Sequence, residues 1–242
     1  MRSRPVSLSV TAMSNAPLVL EVERLSKRFH QDSPPLFENL SLELRSGAYI
    51  AIMGESGAGK STLLNLIAGL ERPEAGNIRI DGEELGALDD DAITRLRRRT
   101  MGFIFQAFHV LPYLTVQQNV ALPLDLLGVK GAERRARAGQ MLERVGLGAM
   151  SRRYPREVSG GELQRIAIAR ALVQRPRLVL ADEPTGNLDA RTAAQVLDLL
   201  REQVRESGAS AILITHSPVA ARSADRVLTL DAGGLHPPEP VA

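Results

Sequence analysis

A glycine-rich segment at residues 54–61 restricts the fold of this chain more than any other feature. It reads Gly-Glu-Ser-Gly-Ala-Gly-Lys-Ser, follows the short apolar run at 49–53 and precedes a helical pattern at 60–70. Glycines in such a loop let several backbone N–H groups point inward at the start of a helix, which creates a binding site for phosphate. Because a strand, this loop and a helix follow one another, the sequence predicts an α/β nucleotide-binding fold.

Individual side chains of this loop have expected roles. Lys60 is expected to reach the β- and γ-phosphates, the Ser61 hydroxyl to ligate magnesium, and Thr62 to help open the helix. The alternative is a glycine-rich turn that merely starts a helix, but the strand before it and the helix after it favour nucleotide binding. The candidate nucleotide-binding residues of the loop are Gly54, Glu55, Ser56, Gly57, Ala58, Gly59, Lys60, Ser61 and Thr62.

Short apolar segments predict the strands around this loop. Alternating or apolar patterns near the start of the chain predict a small, partly antiparallel sheet from residues 18–29, 36–44 and 77–81. Later apolar runs between helical patterns are typical of buried parallel strands, and they lie at 178–181, 211–215 and 227–230. Residues 107–175 carry helical patterns with almost no strand signal, which predicts a helical insertion within one nucleotide-binding core.

Composition narrows the classes of protein. The 242 residues include 30 Lys plus Arg and 28 Asp plus Glu, and this near balance gives no basis for a nucleic-acid partner. The absence of cysteine excludes disulfides and thiolate metal sites. No segment approaches the roughly 18 consecutive apolar residues that a membrane span needs. Residues 1–17 are predicted to be a flexible N-terminal extension rather than a signal peptide.

A second strand ends in two acidic residues. The apolar run at 178–181 leads into Asp182 and Glu183. A strand end beside a phosphate loop is where a magnesium-associated carboxylate belongs, so Asp182 is a candidate for that role. Glu183 is placed to polarise an attacking water as a general base. Alternatively, both acids simply cap a strand in solvent, but a phosphate loop in the same chain favours the catalytic interpretation.

The segment Ser159-Gly160-Gly161-Glu162 predicts a second anion-binding helix start. Its two glycines open the helical pattern at 163–173, so backbone N–H groups and the Ser159 hydroxyl would face a ligand. An ordinary capped helix is the alternative for this pattern in isolation. Two such helix starts in one chain are explained if the second serves a nucleotide held by a partner copy.

Together these segments resemble the ATP-binding cassette family over residues 19–235. Residues 54–61 are similar to its Walker A loop, 178–182 to its Walker B strand, Glu183 to its catalytic glutamate and 159–162 to its signature. Gln106 resembles the Q-loop glutamine, 187–189 the D-loop and His216 the switch histidine. The resemblance implies a P-loop NTPase cassette in which a mixed central sheet is joined by a small antiparallel β-subdomain and a helical subdomain insertion. The expected boundaries are 18–235 for the nucleotide-binding domain, about 107–175 for the helical subdomain and 236–242 for a C-terminal tail.

The resemblance also implies a mechanism. Two cassettes pair head to tail around two ATP molecules, and each Walker A loop faces the segment 159–162 of the other copy. Ser61, Gln106 and Asp182 would handle Mg²⁺, directly or through water. His216 would contact the γ-phosphate and the attacking water, with Glu183 as the base.

Three residues depart from the common family pattern. Phe29 stands where an adenine-stacking tyrosine is frequent, and a phenyl ring can also stack, although a core position is the alternative. Glu162 replaces the commoner glutamine of the signature. Ser217 follows His216 where many members have aspartate, which is expected to loosen the region around His216.

One branch of the family fits best. Residues 101–124 and 181–189 are similar to the lipoprotein-releasing and macrolide-exporter ATPases, with the cell-division ATPase near them. Four of the eight aromatic residues fall at 103–113, where the family receives a membrane subunit, although they could instead pack the junction of core and insertion. The expected protein is the Mg²⁺-dependent ATPase subunit of an ABC transporter or mechanotransmission complex, on the cytoplasmic side of the inner membrane and peripheral through a separate permease. The alternative is a soluble cassette ATPase that acts without a permease.

Overall fold

The computed structural model of this chain describes residues 8–10, 16–28 and 34–238. In these residues the strands are β1 (Leu8–Val10), β2 (Leu18–Lys27), β3 (Phe37–Arg45), β4 (Tyr49–Met53), β5 (Ala75–Ile80), β6 (Glu83–Glu84), β7 (Met101–Phe105), β8 (Leu178–Asp182), β9 (Ser210–Ile214), β10 (Arg226–Asp231) and β11 (Gly234–His236). The α-helices are α1 (Lys60–Ile67), α2 (Asp90–Thr100), α3 (Val116–Leu126), α4 (Gly131–Arg144), α5 (Gly160–Leu172), α6 (Ala190–Ser207) and α7 (Pro218–Ala221). Short 3-10 turns lie at Leu85–Ala87, Gly148–Met150 and Pro155–Glu157.

The chain forms two compact units. The first consists of Met1–Thr94 and Ser210–Ala242, and the second of Arg95–Ala209. The boundaries of the nucleotide-binding domain and of a helical subdomain at 107–175 therefore stay predictions. Within the expected N-terminal extension, residues 8–10 form β1, which pairs in parallel with β3.

The first unit contains a mostly antiparallel sheet in the order β1-β3-β2-β5-β6. β2 pairs antiparallel with both β3 and β5, which confirms the sheet expected from the alternating segments near the start of the chain. The alternate residues Leu40, Leu42 and Leu44 of β3 are buried, as a strand with one face on a core requires. Phe29, which follows β2, lies outside the described residues.

A second set of strands in the same unit carries the phosphate loop. β4 pairs in parallel with β10 on one side and with β9 on the other, and β11 adds an antiparallel edge to β10. All five residues of β9 and four of the five in β4 are buried, which is typical of parallel strands covered on both faces. The observed bounds of β4 are those expected from the sequence.

The second unit combines two parallel strands with helices. β7 pairs with β8, and α5 packs against β7, α3 and α6. Helix α6 is capped at its start by Asp189, which accepts hydrogen bonds from the N–H groups of Arg191 and Thr192, and is followed by Gly208 in a left-handed conformation. Among the described residues between β7 and β8, the chain forms the helices α3, α4 and α5 with 3-10 turns and loops, and contains no strand.

Strand β7 is not among the strands expected from the sequence. The aromatic residues at 103–113 are expected from the sequence to meet a membrane subunit or to pack the junction of core and insertion, whereas Met101–Phe105 is a strand whose Phe103 and Phe105 rings stack at 5.9 Å between centroids. Within the described ranges, none of the helices has both the length and the apolar composition that crossing a bilayer requires.

Candidate functional site

The glycine-rich loop joins β4 to α1 in a conformation that needs glycine. Gly59, the residue that precedes α1, has φ of +91°, where a side chain is strained. A Cβ atom on Gly59 would also collide with the Leu36 side chain and come within 3.3 Å of the Phe37 ring. The turn therefore fits closely against β3, which fixes where α1 begins.

The start of α1 is arranged to accept an anion. No side chain caps this helix end, and its first turn contains no acidic residue. Backbone N–H groups at a helix start carry a partial positive charge and lack partners inside the helix. The ammonium group of Lys60 donates to the carbonyl oxygens of Gly54 and Glu55, each at 2.8 Å, so its charge sits within the loop. An anion at this point meets both the helix end and a cation.

A cavity of about 950 Å³ opens beside this loop. Residues 54–58 form one wall, residues 34–36 another, and the β10–β11 hairpin a third. On the hairpin, His236 Nε2 lies 2.6 Å from a carboxylate oxygen of Asp231, and this hydrogen bond lowers the pKa of Asp231. The volume lies in the range of small-molecule and cofactor sites.

His216 follows the strand next to the phosphate loop. β4 and β9 run in parallel with Ile52 opposite Ile214, so Gly54 and His216 lie just beyond the same edge of the sheet. His216 is exposed. Ser217 caps α7, since its hydroxyl accepts from the N–H of Ala220 at 3.3 Å. Serine and aspartate are both good helix caps, so this departure from the family pattern keeps a capped turn after His216.

The two acidic residues lie at the end of β8, beside the end of β7. Phe105 pairs with Asp182, which places Gln106 and Glu183 next to each other as the residues that follow the paired strands. Asp182 and Glu183 are both half-buried. Glu183 has φ of +46°, a strained conformation for a residue with a side chain, and such strain clusters at active sites.

Asn187 contacts Gln106 directly, a contact that is not among the expectations from the sequence. The Gln106 side-chain amide donates to Asn187 Oδ1 at 3.1 Å, and Asn187 Nδ2 donates to the Gln106 carbonyl oxygen at 3.0 Å. Arg170 of α5 holds the next part of the same loop by donating to the carbonyl oxygens of Phe108 at 2.9 Å and His109 at 2.6 Å. No local sequence signal indicates either contact.

The segment 159–162 forms a helix start of a different kind. Ser159 caps α5, and the Glu162 carboxylate accepts from the Ser159 N–H at 2.7 Å and from the Ser159 hydroxyl at 2.8 Å. These hydrogen bonds are the main reason why the pKa of Glu162 is lowered. A side chain at position 160 would not collide with its surroundings, since an added Cβ would lie 3.6 Å from Leu188 and 3.9 Å from Phe108, both ordinary van der Waals distances.

Comparison with known proteins identifies the family. A family model described as ABC transporter matches residues 37–186. The chain is 46% identical over 219 residues to the lipoprotein-releasing system ATP-binding protein LolD of Pseudomonas syringae pv. tomato, covering 90% of this chain and 96% of that protein. It is 44% identical over 237 residues to the protein of the same name from Xanthomonas campestris pv. campestris (strain 8004), covering 97% and 99%.

Solved structures agree with this assignment. The dimeric structure of MJ0796, a bacterial ABC transporter cassette, matches with a TM-score of 0.79 and 36% identity, covering 90% of this chain and 96% of that one. A dimeric post-hydrolysis state of the same cassette, bound to ADP and Pi, matches to the same extent.

A phosphate loop after one buried parallel strand and two acids after another define a phosphate-loop ATPase. The chain belongs to the ABC transporter family, in which it is an ATP-binding cassette that hydrolyses ATP. The expectations of family, fold class and ATPase activity are confirmed.

Proposed function

We propose that this chain is the Mg²⁺-dependent ATPase subunit of a lipoprotein-releasing type of transport system and drives a separate membrane permease. The observation that carries the proposal is the uncapped, Lys60-containing start of α1 in a chain that retains Asp182 and Glu183 at the end of β8. The two relatives named above carry the lipoprotein-releasing name and match over nearly their whole length.

ATP would be held by the loop residues 54–62, with its phosphates at the start of α1 and Lys60 against the β- and γ-phosphates. We also keep Phe29 as a proposed partner of the adenine ring. Ser61, Gln106 and Asp182 offer a hydroxyl, an amide oxygen and a carboxylate, which are the hard oxygen donors that Mg²⁺ prefers. When bound, Mg²⁺ would neutralise charge that develops on the phosphate oxygens.

That donor set fits a cation shared with a nucleotide. Among the described residues, no group of three or more His, Cys, Asp or Glu side chains is placed to hold a metal ion by itself. Mg²⁺ is usually bound through one or two carboxylates together with substrate phosphates rather than by a protein cage. The residues therefore suit an ion that arrives with ATP.

Glu183 would act as the general base and His216 as the group that orients the attacking water against the γ-phosphate. Both side chains follow buried parallel strands, the location where open α/β sheets bind their ligands. The Glu183 carboxylate would take a proton from the water as the water oxygen bonds to the γ-phosphorus, and the bond from that phosphorus to ADP would break with its electron pair on the ADP oxygen.

The second helix start would complete the site of another copy. We propose a head-to-tail homodimer in which Ser159, Gly160, Gly161 and Glu162 of each copy contact the ATP that its partner holds. Support comes from the dimeric form of the cassette MJ0796 and from a second glycine-rich helix start in the same chain. No nucleic-acid partner is expected.

A loop in the second unit is built to meet the permease. Tyr113 is 90% exposed and Leu111 is 43% exposed. Asn119 is fully buried, and its amide bonds the N–H and carbonyl groups of Leu111 and the carbonyls of Leu114 and Thr115 at 2.8–3.1 Å. A rigid loop that exposes an aromatic ring suits a protein interface. Through this contact the subunit would lie on the cytoplasmic side of the inner membrane.

The test is affinity purification of tagged Glu183→Gln protein from detergent-solubilised membranes with ATP and Mg²⁺. We expect a permease with a large extracytoplasmic domain to be recovered. The double variant Lys60→Ala, Glu183→Gln serves as the control, because it should bind ATP weakly. Adding ATP should raise the amount of recovered permease less for the double variant than for Glu183→Gln. Recovery of soluble partners only, across several detergents, would support the alternative of a cassette ATPase that acts without a permease.

A further inference from the structure

Gln106 and Asn187 are joined by two hydrogen bonds although 81 positions separate them in the chain. Asn187 lies in the turn after β8, where the Gly186 N–H donates to the Glu183 carbonyl at 3.1 Å and the Leu188 N–H donates to the Thr185 carbonyl at 3.1 Å. This turn brings Asn187 to the end of β7, where Gln106 begins the next loop. The pair therefore joins the loops that follow the two strands.

The pattern of donors and acceptors fixes the orientation of both amides. The backbone carbonyl oxygen of Gln106 can only accept a hydrogen bond, so the NH₂ end of the Asn187 side chain must face it. The oxygen end of Asn187 then faces the Gln106 side chain and can only accept. The NH₂ end of Gln106 must therefore point to Asn187, which leaves its amide oxygen directed away from Asn187.

This orientation matters because an amide has only one end that can bind a cation. The carbonyl oxygen is a ligand for Mg²⁺, whereas the NH₂ group is a donor with no lone pair to offer. A 180° rotation about the last side-chain bond exchanges the two ends without changing the shape of the residue. Without Asn187, the oxygen of Gln106 would face the correct direction for only part of the time.

The surroundings of Gln106 also keep it in place. At Gly186, an added Cβ would come within 2.6 Å of the Gln106 NH₂ nitrogen and 2.9 Å of its amide carbon. Glycine is therefore what allows the side chain to lie against this turn. On the other side of Gln106, Arg170 holds the carbonyls of Phe108 and His109, both of which have positive φ.

We propose that Asn187 is a positioning residue that orients the amide of Gln106 so that its oxygen faces the Mg²⁺ of bound MgATP. The inference rests on the proposed role of Gln106 and goes beyond it by naming the residue that makes Gln106 an effective ligand. Because both side chains are exposed, water competes for each hydrogen bond. The expected effect is therefore a few-fold change in rate rather than loss of activity.

The experiment is a double-mutant cycle on MgATP hydrolysis by the purified chain. Asn187→Ala is expected to lower kcat/KM for MgATP by about 3- to 10-fold, because it removes both hydrogen bonds to Gln106 and water replaces part of what is lost. ATP affinity measured in EDTA is expected to stay unchanged, because the loop at 54–61 is untouched. Asn187→Asp keeps an acceptor for the Gln106 NH₂ group and loses only the donation to the Gln106 backbone carbonyl, so it should keep more of kcat/KM than Asn187→Ala.

Measuring Asn187→Ala in two Gln106 variants distinguishes a loss of amide orientation from a general loss of structure. In Gln106→Glu the side chain carries oxygen at both ends, and in Gln106→Ala there is no amide to orient. In either background, Asn187→Ala should change kcat/KM by less than about twofold. Asn77→Ala, on the exposed face of β5, is the matched control and should behave as wild type.

Two outcomes would overturn the proposal. One is a wild-type kcat/KM in Asn187→Ala. The other is an Asn187→Ala effect of the same size in the wild-type and both Gln106 backgrounds, which would make Asn187 a structural residue. If either result were found while Gln106→Ala still lowered kcat/KM, the positioning role of Asn187 would be wrong but the proposed function would stand. A wild-type chain without MgATP hydrolysis would instead contradict the proposed function itself.

Discussion

The helix starts at Gly59 and at Ser159 are both glycine-rich, but only the start at Ser159 has a side chain that caps its backbone N–H groups. At α1 no side chain caps the helix, and the nearby charge is the ammonium of Lys60. At α5 a reciprocal capping box forms between Ser159 and Glu162, and the nearby charge is a carboxylate. The first start leaves its donors for an anion, whereas the second satisfies part of them itself.

The difference fits the proposed roles of the two segments, in which the loop at 54–61 binds ATP and the segment 159–162 completes the site of another copy. An uncapped start beside a cation can bind phosphate within a single chain. A capped start with a carboxylate is a weaker anion site, so it would contribute only when a nucleotide held by another copy is brought against it. The same comparison makes α5 the better stabilised of the two helix ends, since an N-cap is worth about 0.5–2 kcal/mol.

The largest expected effect separates nucleotide binding from hydrolysis. Lys60→Ala should weaken ATP binding by about 10- to 100-fold, because it removes a charge-assisted hydrogen bond to phosphate. Gly160→Asp should leave ATP binding to the isolated chain near wild type while hydrolysis is lost. Titration of a fluorescent ATP analogue, followed by a phosphate-release assay, measures both quantities. Equal loss of binding in the two variants would break the distinction between the helix starts.

The next effect concerns the stability of the phosphate loop. Gly59→Ala should lower the free energy of unfolding by about 1–3 kcal/mol through backbone strain and the collision with Leu36. Gly57→Ala is the matched control, because Gly57 has a similar φ of +86° but an added Cβ would meet no atom within 4 Å. Denaturant unfolding should show the larger loss for Gly59→Ala. A larger loss for Gly57→Ala would show that the fit against β3 does not hold the loop.

A smaller effect is expected at the capped start. Ser159→Ala should lower the free energy of unfolding by about 1 kcal/mol, because it removes the hydroxyl from the capping box. Ser159→Thr keeps the hydroxyl and should retain most of the stability. Chemical denaturation of the three proteins provides the comparison, and a fully stable Ser159→Ala protein would mean that the box is not stabilising.

The smallest effect is the pH dependence of Glu162. Its pKa is lowered from 4.5 in the folded chain, chiefly by hydrogen bonds from Ser159, with Arg153 and Arg165 contributing. The ionised carboxylate therefore stabilises the fold fully above pH 4.5, and this contribution disappears as the pH falls through the lowered pKa. Glu162→Gln should cost about 0.3–1 kcal/mol at neutral pH, an estimate suited to an exposed helix end.

Unfolding measured between pH 7 and pH 3 tests this sign. The stabilities of wild type and Glu162→Gln should converge as the pH falls. A gap that stays constant or widens at low pH would contradict the role of the ionised carboxylate.

The sequence predicted the parts of the site that depend on short segments. The loop at 54–61 and the acids at 182–183 carry their chemistry in adjacent residues. The bounds of β4 could be predicted because all its residues are apolar or aromatic. β7 was missed because its Met-Gly-Phe-Ile-Phe run also fits an apolar surface. The pairing of Gln106 with Asn187 and of Arg170 with His109 links residues 81 and 61 positions apart, so no local pattern reveals it.

The most direct measurement mixes two inactive chains. Lys60→Ala removes the cation at the start of α1, and Gly160→Asp adds a carboxylate at the start of α5. If each ATP lies between the loop of one copy and the segment 159–162 of the other, a mixed dimer contains one intact site. An equimolar mixture should then recover up to about a quarter of wild-type ATPase activity, although neither variant hydrolyses ATP alone. If the mixture stays as inactive as its components while mixed dimers form, the proposed role of the second helix start is wrong.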